Sequence, residues 1–211
     1  MKRLLIVLLL AAVPLKGAAQ WDTASHIMPT VAGGCLLAGG SMFTFVPQMK
    51  DVAVNLRDAV QADGHRKLHF DDYVQYLPAI ATPALKLCGL ESRHSWDRLV
   101  LLEGGSYLLG FVVVEGAKHI FDVERPDGSA YNSFPSGHTF TAFCGAEVLR
   151  REYGEEYPWL AVAGYTVAVV IGAMRIYNNR HWLGDVLAGA GIGVLSTTAV
   201  YWINEKLEIR N

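Results

Sequence analysis

The sequence predicts an all-α protein, a helical bundle of about six main helices. Several of these should span a membrane, and one end of the bundle should gather the polar residues. Of the 211 residues, 52% are hydrophobic and only 18% are charged, which is more apolar than an average soluble domain. Apolar segments of helical length recur along the chain, and none shows the alternation typical of a half-buried β-strand. The net charge of −2 argues against a nucleic-acid partner, which requires a basic surface.

The first twenty residues resemble a targeting segment. Met1-Lys2-Arg3 is basic, residues 4–15 are apolar, and small residues follow at 17–19. This order is typical of a secretory signal peptide, and the apolar stretch is short for a membrane span. The alternative is an uncleaved first membrane helix. In either case we expect residues 21–211 to form a single domain that starts on the far side of the inner membrane.

The next two segments differ in character. Residues 31–46 are apolar and rich in glycine, which predicts a membrane helix or a deeply buried one, since small residues let helices approach closely in lipid. Residues 50–63 mix apolar and charged residues at helical spacing. They predict an amphipathic helix on the surface.

Residues 73–90 are apolar but contain Pro78 and Pro83. This short, interrupted segment is predicted not to cross the membrane. Asp71 and Asp72 directly precede it. Carboxylates in this position favour a helix N-terminus, and we interpret both as capping residues rather than as metal ligands.

Four further apolar segments, 99–117, 139–149, 159–174 and 182–202, follow with short polar connections between them. If each is one helix, successive helices run in opposite directions. The polar clusters around 118–125, 135–138 and 175–185 then meet at one end of the bundle. The opposite end should hold ten cations, and an excess of cations marks the cytoplasmic side. These are Lys50, Arg57, Arg66, Lys67, Arg93, Arg98, Arg150, Arg151, Lys206 and Arg210.

The first cluster contains Lys118 and Arg125, two helical turns apart, with Pro126 ending the helix. Taken alone, the two are explained as interfacial cations that snorkel from a membrane helix.

The second cluster is Pro135-Ser136-Gly137-His138. Ser136 is placed to cap the following helix, whose free N–H groups attract an anion. Taken alone, this is equally an ordinary helix start.

The third cluster contains Arg175, His181 and Asp185. His181 and Asp185 are four residues apart and share one helix face. A carboxylate that fixes one ring nitrogen leaves the other free to act as a nucleophile. The alternative is a structural His–Asp pair, but a carboxylate inside an apolar helix is costly and favours function.

Together, Lys118-x6-Arg125-Pro126, the tetrapeptide 135–138, and Arg175-x5-His181-x3-Asp185 resemble the signature of the type 2 phosphatidic acid phosphatase superfamily. This group includes lipid phosphate phosphatases, bacterial class A acid phosphatases and vanadium haloperoxidases. Met174 departs from the small residue that usually precedes the third-cluster arginine, which removes a hydroxyl contact but no charge.

The resemblance implies a hydrolase without a cofactor or metal. His181 would attack phosphorus and form a phosphohistidine, Asp185 would orient it, and His138 would act as general acid and then as base. The phosphate would be bound by Lys118, Arg125, Ser136, Gly137 and Arg175.

The apolar composition and the resemblance together indicate an inner-membrane phosphatase with a periplasm-facing site. Its substrate would be a phosphomonoester or pyrophosphate of a membrane lipid. The candidates are lipid A phosphates, with the 4′-phosphate preferred, undecaprenyl pyrophosphate and phosphatidylglycerol phosphate. The alternatives are a soluble secreted acid phosphatase of broad specificity, a vanadate-dependent haloperoxidase, and a non-catalytic protein that binds or transports phospholipids. The oligomeric state stays open.

Overall fold

The computed structural model describes residues 21–62, 64 and 66–208, and these residues form only helices and connections. The predicted signal peptide or first membrane helix at 1–20 lies outside the described residues. The helices are α1 (Trp21–Phe45), α2 (Pro47–Gln61), α3 (Asp71–Val74), α4 (Leu77–Leu87), α5 (Trp96–Phe121), α6 (Gly137–Tyr153), α7 (Pro158–Tyr177) and α8 (Leu183–Glu208).

The first and last long helices, α1 and α8, pack antiparallel and define the two ends of the bundle. At one end, which we call the distal end, His26 of α1 bonds to Glu205 of α8. At the other, which we call the motif end, Phe45 stacks on Phe121 and Phe134 with ring centroids 5.0 and 5.1 Å apart. The polar clusters all lie at the motif end, because α5 and α7 finish there and α6 and α8 start there.

The segment between residues 71 and 90 also passes from one end to the other, contrary to the prediction. Asp71 contacts Arg175 at the motif end, whereas Lys86 bonds to the carbonyl of His94 at the distal end. The segment does so as two short helices with a turn between them. Residues 21–208 therefore make six passes, by α1, α3–α4, α5, α6, α7 and α8, which agrees with the prediction of about six main helices.

Glycines allow α1 and α8 to approach each other closely. A Cβ atom on Gly40 would lie 2.4 Å from the backbone nitrogen of Ala188, and one on Gly191 would lie 2.6 Å from that of Leu37. Gly189 faces the second polar cluster in the same way, since its Cβ would lie 2.4 Å from the Ser136 carbonyl oxygen. The small residues thus hold α8 against both α1 and α6.

Among the described residues, four helices are long and apolar enough to cross a membrane: His26–Phe45, Trp96–Phe121, Pro158–Tyr177 and Leu183–Leu207. Helix α6 is enclosed by the others. Large apolar side chains on the outer faces stay exposed, among them Leu101, Leu108 and Val112 on α5. The protein is therefore a membrane protein, since such a surface requires lipid. This finding argues against the soluble alternative.

The predicted grouping of cations at the end opposite the clusters is wrong in part. Helix α2 lies at the motif end, where Gln61 bonds to the carbonyl of Tyr177 and Arg57 stacks over Trp182. Lys67 binds Asp127 at the same end. Because α1 ends at the motif end and residues 71–90 return to the distal end, Lys50, Arg57, Arg66 and Lys67 all lie at the motif end. Cations are thus present at both ends.

Candidate active site

The last turn of α5 carries Lys118 into the site. The helix ends at Asp122, which adopts a left-handed backbone conformation and bonds back to the Lys118 carbonyl. The ammonium of Lys118 lies 2.6 Å from Glu115. A Cβ on Gly137 would be 3.4 Å from that ammonium, so Lys118 lies next to the start of α6.

Arg125 is placed by the loop after α5 rather than by the helix. Its backbone N–H bonds to the Ala130 carbonyl, and its Nε donates to Asn132 over 2.8 Å. Burial, followed by the charges of Arg180 and Arg175, lowers the pKa of Arg125. Several cations therefore crowd the same space, and an anion placed between them would relieve their repulsion.

Ser136 is the N-cap of α6, as the sequence predicted. Its hydroxyl accepts from the N–H and the hydroxyl of Thr139, over 3.4 and 2.9 Å. Its own N–H donates to the Asp185 carbonyl over 3.0 Å, and the residue is fully buried. These bonds tie the second cluster to the third. Gly137 and His138, by contrast, are partly exposed in the first turn of α6.

His181 and Asp185 are close, but a third residue completes their arrangement. His181 Nδ1 donates to the Ser133 carbonyl over 2.9 Å, while the nearest Asp185 oxygen is 3.5 Å away. That oxygen accepts from the Ser133 hydroxyl (2.5 Å) and the Trp182 N–H (2.8 Å). The sequence analysis missed Ser133, which has no helical spacing to reveal it.

This arrangement fixes the tautomer of His181. With Nδ1 donating, Nε2 is left as the unprotonated nitrogen. Burial, together with the charges of Arg175 and Arg125, lowers the pKa of His181, and Asp185 opposes this shift. The ring is therefore neutral at pH 7, which is the form that a nitrogen nucleophile requires.

Arg175 is buried at the end of α7 and paired with α3. Its Nη1 lies 2.5 Å from Asp71 and 3.4 Å from Asp72. Asn178 also donates to Asp71 over 3.2 Å. The two aspartates lie in the first turn of α3, as predicted, but they do not cap it: Phe70 is the N-cap residue, and it makes no side-chain capping bond. The carboxylates bind an arginine and a histidine of the candidate site instead.

His138 has Asp72 as its direct partner, with Nε2 2.8 Å from the Asp72 carboxylate. Burial and the charge of Arg175 lower the pKa of His138 to about 4, although Asp72 acts in the opposite direction. The charge of His181 also acts on this ring. His138 and His181 therefore share one electrostatic environment.

All eight predicted residues lie at the motif end, and seven of them are linked by contacts or by direct succession in the chain, whereas Arg125 acts on His181 through its charge. Gly137 is next to Lys118, Ser136 bonds to Asp185, and His138 and Arg175 share Asp72. Within residues 21–208, apart from 63 and 65, no group of three or more metal-ligating side chains has the geometry to hold an ion.

A groove of about 640 Å³ leads away from Gly137 and His138 along the side of the bundle. Apolar and aromatic side chains form most of its wall: Tyr76, Ala79, Tyr107, Leu108, Phe111 and Val114. Leu108 and Phe111 are 66% and 57% exposed on the outer face of α5. The groove therefore joins the polar site to the surface that faces lipid.

Comparison with known proteins agrees with these features. The profile of the PAP2 superfamily matches residues 99–209. A Porphyromonas gingivalis protein named lipid A 1-phosphatase is 40% identical over 188 residues, which are 88% of this chain and 40% of that protein. Phosphatidylglycerophosphatase B of Bacillus subtilis is 31% identical over 131 residues, 55% of this chain and 62% of that protein. The chain thus spans less than two thirds of either relative.

A solved structure shares the fold. The crystal structure of Aquifex aeolicus LpxE aligns with a TM-score of 0.55 and 26% identity, covering 70% of this chain and 93% of that one. The profile match contains the first, second and third clusters and extends over more than half of the residues. The resemblance drawn from those clusters is confirmed, and this chain belongs to the PAP2 superfamily.

Proposed function

We propose that the protein is a phosphatase that hydrolyses a phosphomonoester of a membrane lipid through a phosphohistidine intermediate. The observation that carries this proposal is the groove, which leads from Gly137 and His138, beside the cluster of cations and histidines, to the lipid-facing side of α5. A lipid phosphate has the matching shape, with an anionic head for the site and an apolar body for the groove.

In the first step, His181 Nε2 attacks phosphorus and the bond to the leaving oxygen breaks. His138 donates a proton to that oxygen, which leaves as the lipid alcohol. Lys118, Arg125 and Arg175 stabilise the charge on the three remaining phosphoryl oxygens, supplying what a metal ion supplies in other phosphatases. The Gly137 N–H, at the start of α6, adds a hydrogen bond.

In the second step, water attacks the phosphohistidine. Neutral His138 removes one proton from the water, the N–P bond breaks, and inorganic phosphate leaves with His181 restored. The bound phosphate offsets the field of Arg175 on His138. It therefore raises the pKa of His138 from its low value in the free protein, so the ring is protonated when the next substrate phosphate binds.

For the substrate, we propose a phosphate of lipid A. The support is the 40% identity to the Porphyromonas gingivalis protein named lipid A 1-phosphatase. That name favours the 1-phosphate over the 4′-phosphate preferred from the sequence. Phosphatidylglycerol phosphate is the second candidate, because the Bacillus subtilis relative is named phosphatidylglycerophosphatase B.

Phosphate release from a panel of substrates tests this function. The purified protein in detergent is incubated with lipid A bearing only the 1- or only the 4′-phosphate, with phosphatidylglycerol phosphate, and with glycerol phosphate. We expect release from a lipid substrate to exceed release from glycerol phosphate by at least ~10-fold, because only lipids fill the groove. Equal rates would contradict the lipid assignment. Binding without release would support the non-catalytic alternative.

We further propose that the motif end faces the periplasm. The distal end carries Arg93, Arg98, Arg150, Arg151 and Lys206, and cations near membrane spans favour the cytoplasm. Besides the three cations assigned to phosphate, the motif end carries five among the described residues: Lys50, Arg57, Arg66, Lys67 and Arg180. The distal end carries six, since Lys86 also lies there. Helix α1 starts at the distal end, so this orientation keeps Trp21 in the cytoplasm. The signal peptide or uncleaved first membrane helix predicted for residues 1–20 would instead place Trp21 in the periplasm and the motif end in the cytoplasm.

Cysteine labelling with a membrane-impermeant maleimide on intact cells distinguishes the two orientations. Cys88 is exposed at the distal end, and Ser129 is exposed in the loop at the motif end. With Cys35→Ser as background, we expect Ser129→Cys (with Cys88→Ser) to react in intact cells, and native Cys88 to react only after lysis. The reverse pattern would place the site in the cytoplasm.

A further inference from the structure

We propose that Asp72, which lies outside the three clusters, is the positioning residue of His138: its carboxylate holds Nε2 and thereby presents Nδ1 to the substrate. This inference rests on the proposed function for its catalytic consequence. The structural part of the inference is that a carboxylate from another helix orients the histidine. This part can be tested without measuring enzyme activity.

The contacts of Asp72 all involve groups of the site or their neighbours. One carboxylate oxygen lies 2.8 Å from His138 Nε2 and 3.4 Å from Arg175 Nη1. The other lies 3.7 Å from the ring of His69. An ionised carboxylate only accepts hydrogen bonds, so His138 Nε2 carries the proton in this pair. Nδ1 is then the nitrogen that exchanges a proton with the leaving oxygen and the water.

The neighbouring carboxylate makes this orientation rigid. Asp71 is 1% exposed and binds Arg175 and Asn178, which anchors α3 against the end of α7. The side chain of Asp72, one residue on, is 45% exposed and reaches the ring of His138. Asp71 thus holds the short helix while Asp72 contacts the histidine. If Asp71 and Asp72 had only a structural role, both carboxylates would be expected to be buried.

The charges around His138 determine whether loss of the Asp72 carboxylate raises or lowers the pKa of His138. Asp72 on α3 raises its pKa, whereas Arg175 on α7 and His181 in the following turn lower it. Glu115 of α5 lines the same groove and is paired with Lys118. Asp72→Asn removes the one direct anionic partner, so the pKa of His138 falls. The protonated fraction available to act as general acid falls with it, and the alkaline limb of the pH–rate profile moves to lower pH.

Two measurements test the proposal. The first is the NMR titration of the histidine ring signals, with His138 assigned from its absence in His138→Gln. We expect His138 to titrate at lower pH in Asp72→Asn than in the unmodified protein, and Asp122→Asn to leave it unchanged. Asp122 is an exposed residue at the same end with a left-handed backbone that asparagine tolerates. An unchanged His138 titration in Asp72→Asn would overturn the proposal.

The second measurement is the pH dependence of kcat and KM for phosphate release. Asp72→Asn should lower kcat near pH 7 roughly 10- to 100-fold, the effect of losing a group that orients a functional histidine, and should shift the alkaline limb to lower pH. Asp72→Glu should restore part of kcat. A uniform loss without a shift in the profile would mean a structural role only. If the unmodified protein releases no phosphate but Asp72→Asn still lowers the pH at which His138 titrates, the proposed function is refuted and the pairing of Asp72 with His138 is not.

Discussion

Replacing His181 by alanine should lower phosphate release by at least ~10²-fold, and more if no other nucleophile reaches the phosphorus. Nε2 is the nitrogen that the Ser133 carbonyl and Asp185 leave unprotonated, and alanine has nothing to replace it. The effect should appear in kcat, with KM little changed, because the cations that bind the ground-state phosphate remain. Initial rates of phosphate release from the best lipid substrate measure it.

A second readout identifies the intermediate. Quenching with alkaline SDS during turnover of a ³²P-labelled lipid should leave label on the unmodified protein in a base-stable, acid-labile form, as expected for a phosphohistidine. His181→Ala should carry none. His119→Ala serves as the matched control, since His119 is an exposed histidine on the last turn of α5 and should retain normal rates and labelling. Normal turnover by His181→Ala would refute the nucleophile assignment.

Replacing Arg175 by alanine should impair both activity and stability. The residue is 4% exposed, and its loss leaves the buried carboxylate of Asp71 without its cationic partner. Breaking a buried ion pair from one side costs about 3–5 kcal/mol, which should be visible as a lower unfolding temperature in detergent. Activity should fall by at least ~10²-fold, because one of the three cations that stabilise the phosphoryl oxygens is gone.

Two companion variants separate these effects. Asp71→Asn with Arg175→Ala removes both buried charges, so it should recover part of the lost stability but none of the activity. Arg66→Ala, an exposed arginine at the motif end, should change neither quantity. Full activity of Arg175→Ala, or equal destabilisation by the double and single variants, would contradict the roles assigned to the pair.

The local features of the fold were predictable from sequence because they depend on neighbours along the chain. The amphipathic pattern of 50–63 predicted α2, and the apolar segment 159–174 predicted α7 within three residues at either end. Ser136 was recognised as a cap because capping involves the next three residues. The family, likewise, was visible in the spacing of the three clusters.

The path of the chain through the bundle was harder to predict from the sequence. Residues 73–90 contain two prolines and no long apolar helix, so length alone suggested that they do not cross. The structure carries them through the bundle as short helices, with Tyr153 bonding to the Thr82 carbonyl. This single pass changes the end of the bundle at which every cation earlier in the chain lies. Charge counting on an incorrect path therefore placed Lys50, Arg57, Arg66 and Lys67 at the wrong end.

The sequence by itself determined the helices, the residues at the motif end and the chemistry that histidines and cations offer to a phosphate. Only the tertiary structure decided their partners: Asp71 meets Arg175 across 104 positions, and Asp72 meets His138 across 66. The physical reason is that helical periodicity is a property of neighbouring residues. An ion pair between helices, by contrast, depends on how their faces pack, which no spacing along the chain encodes.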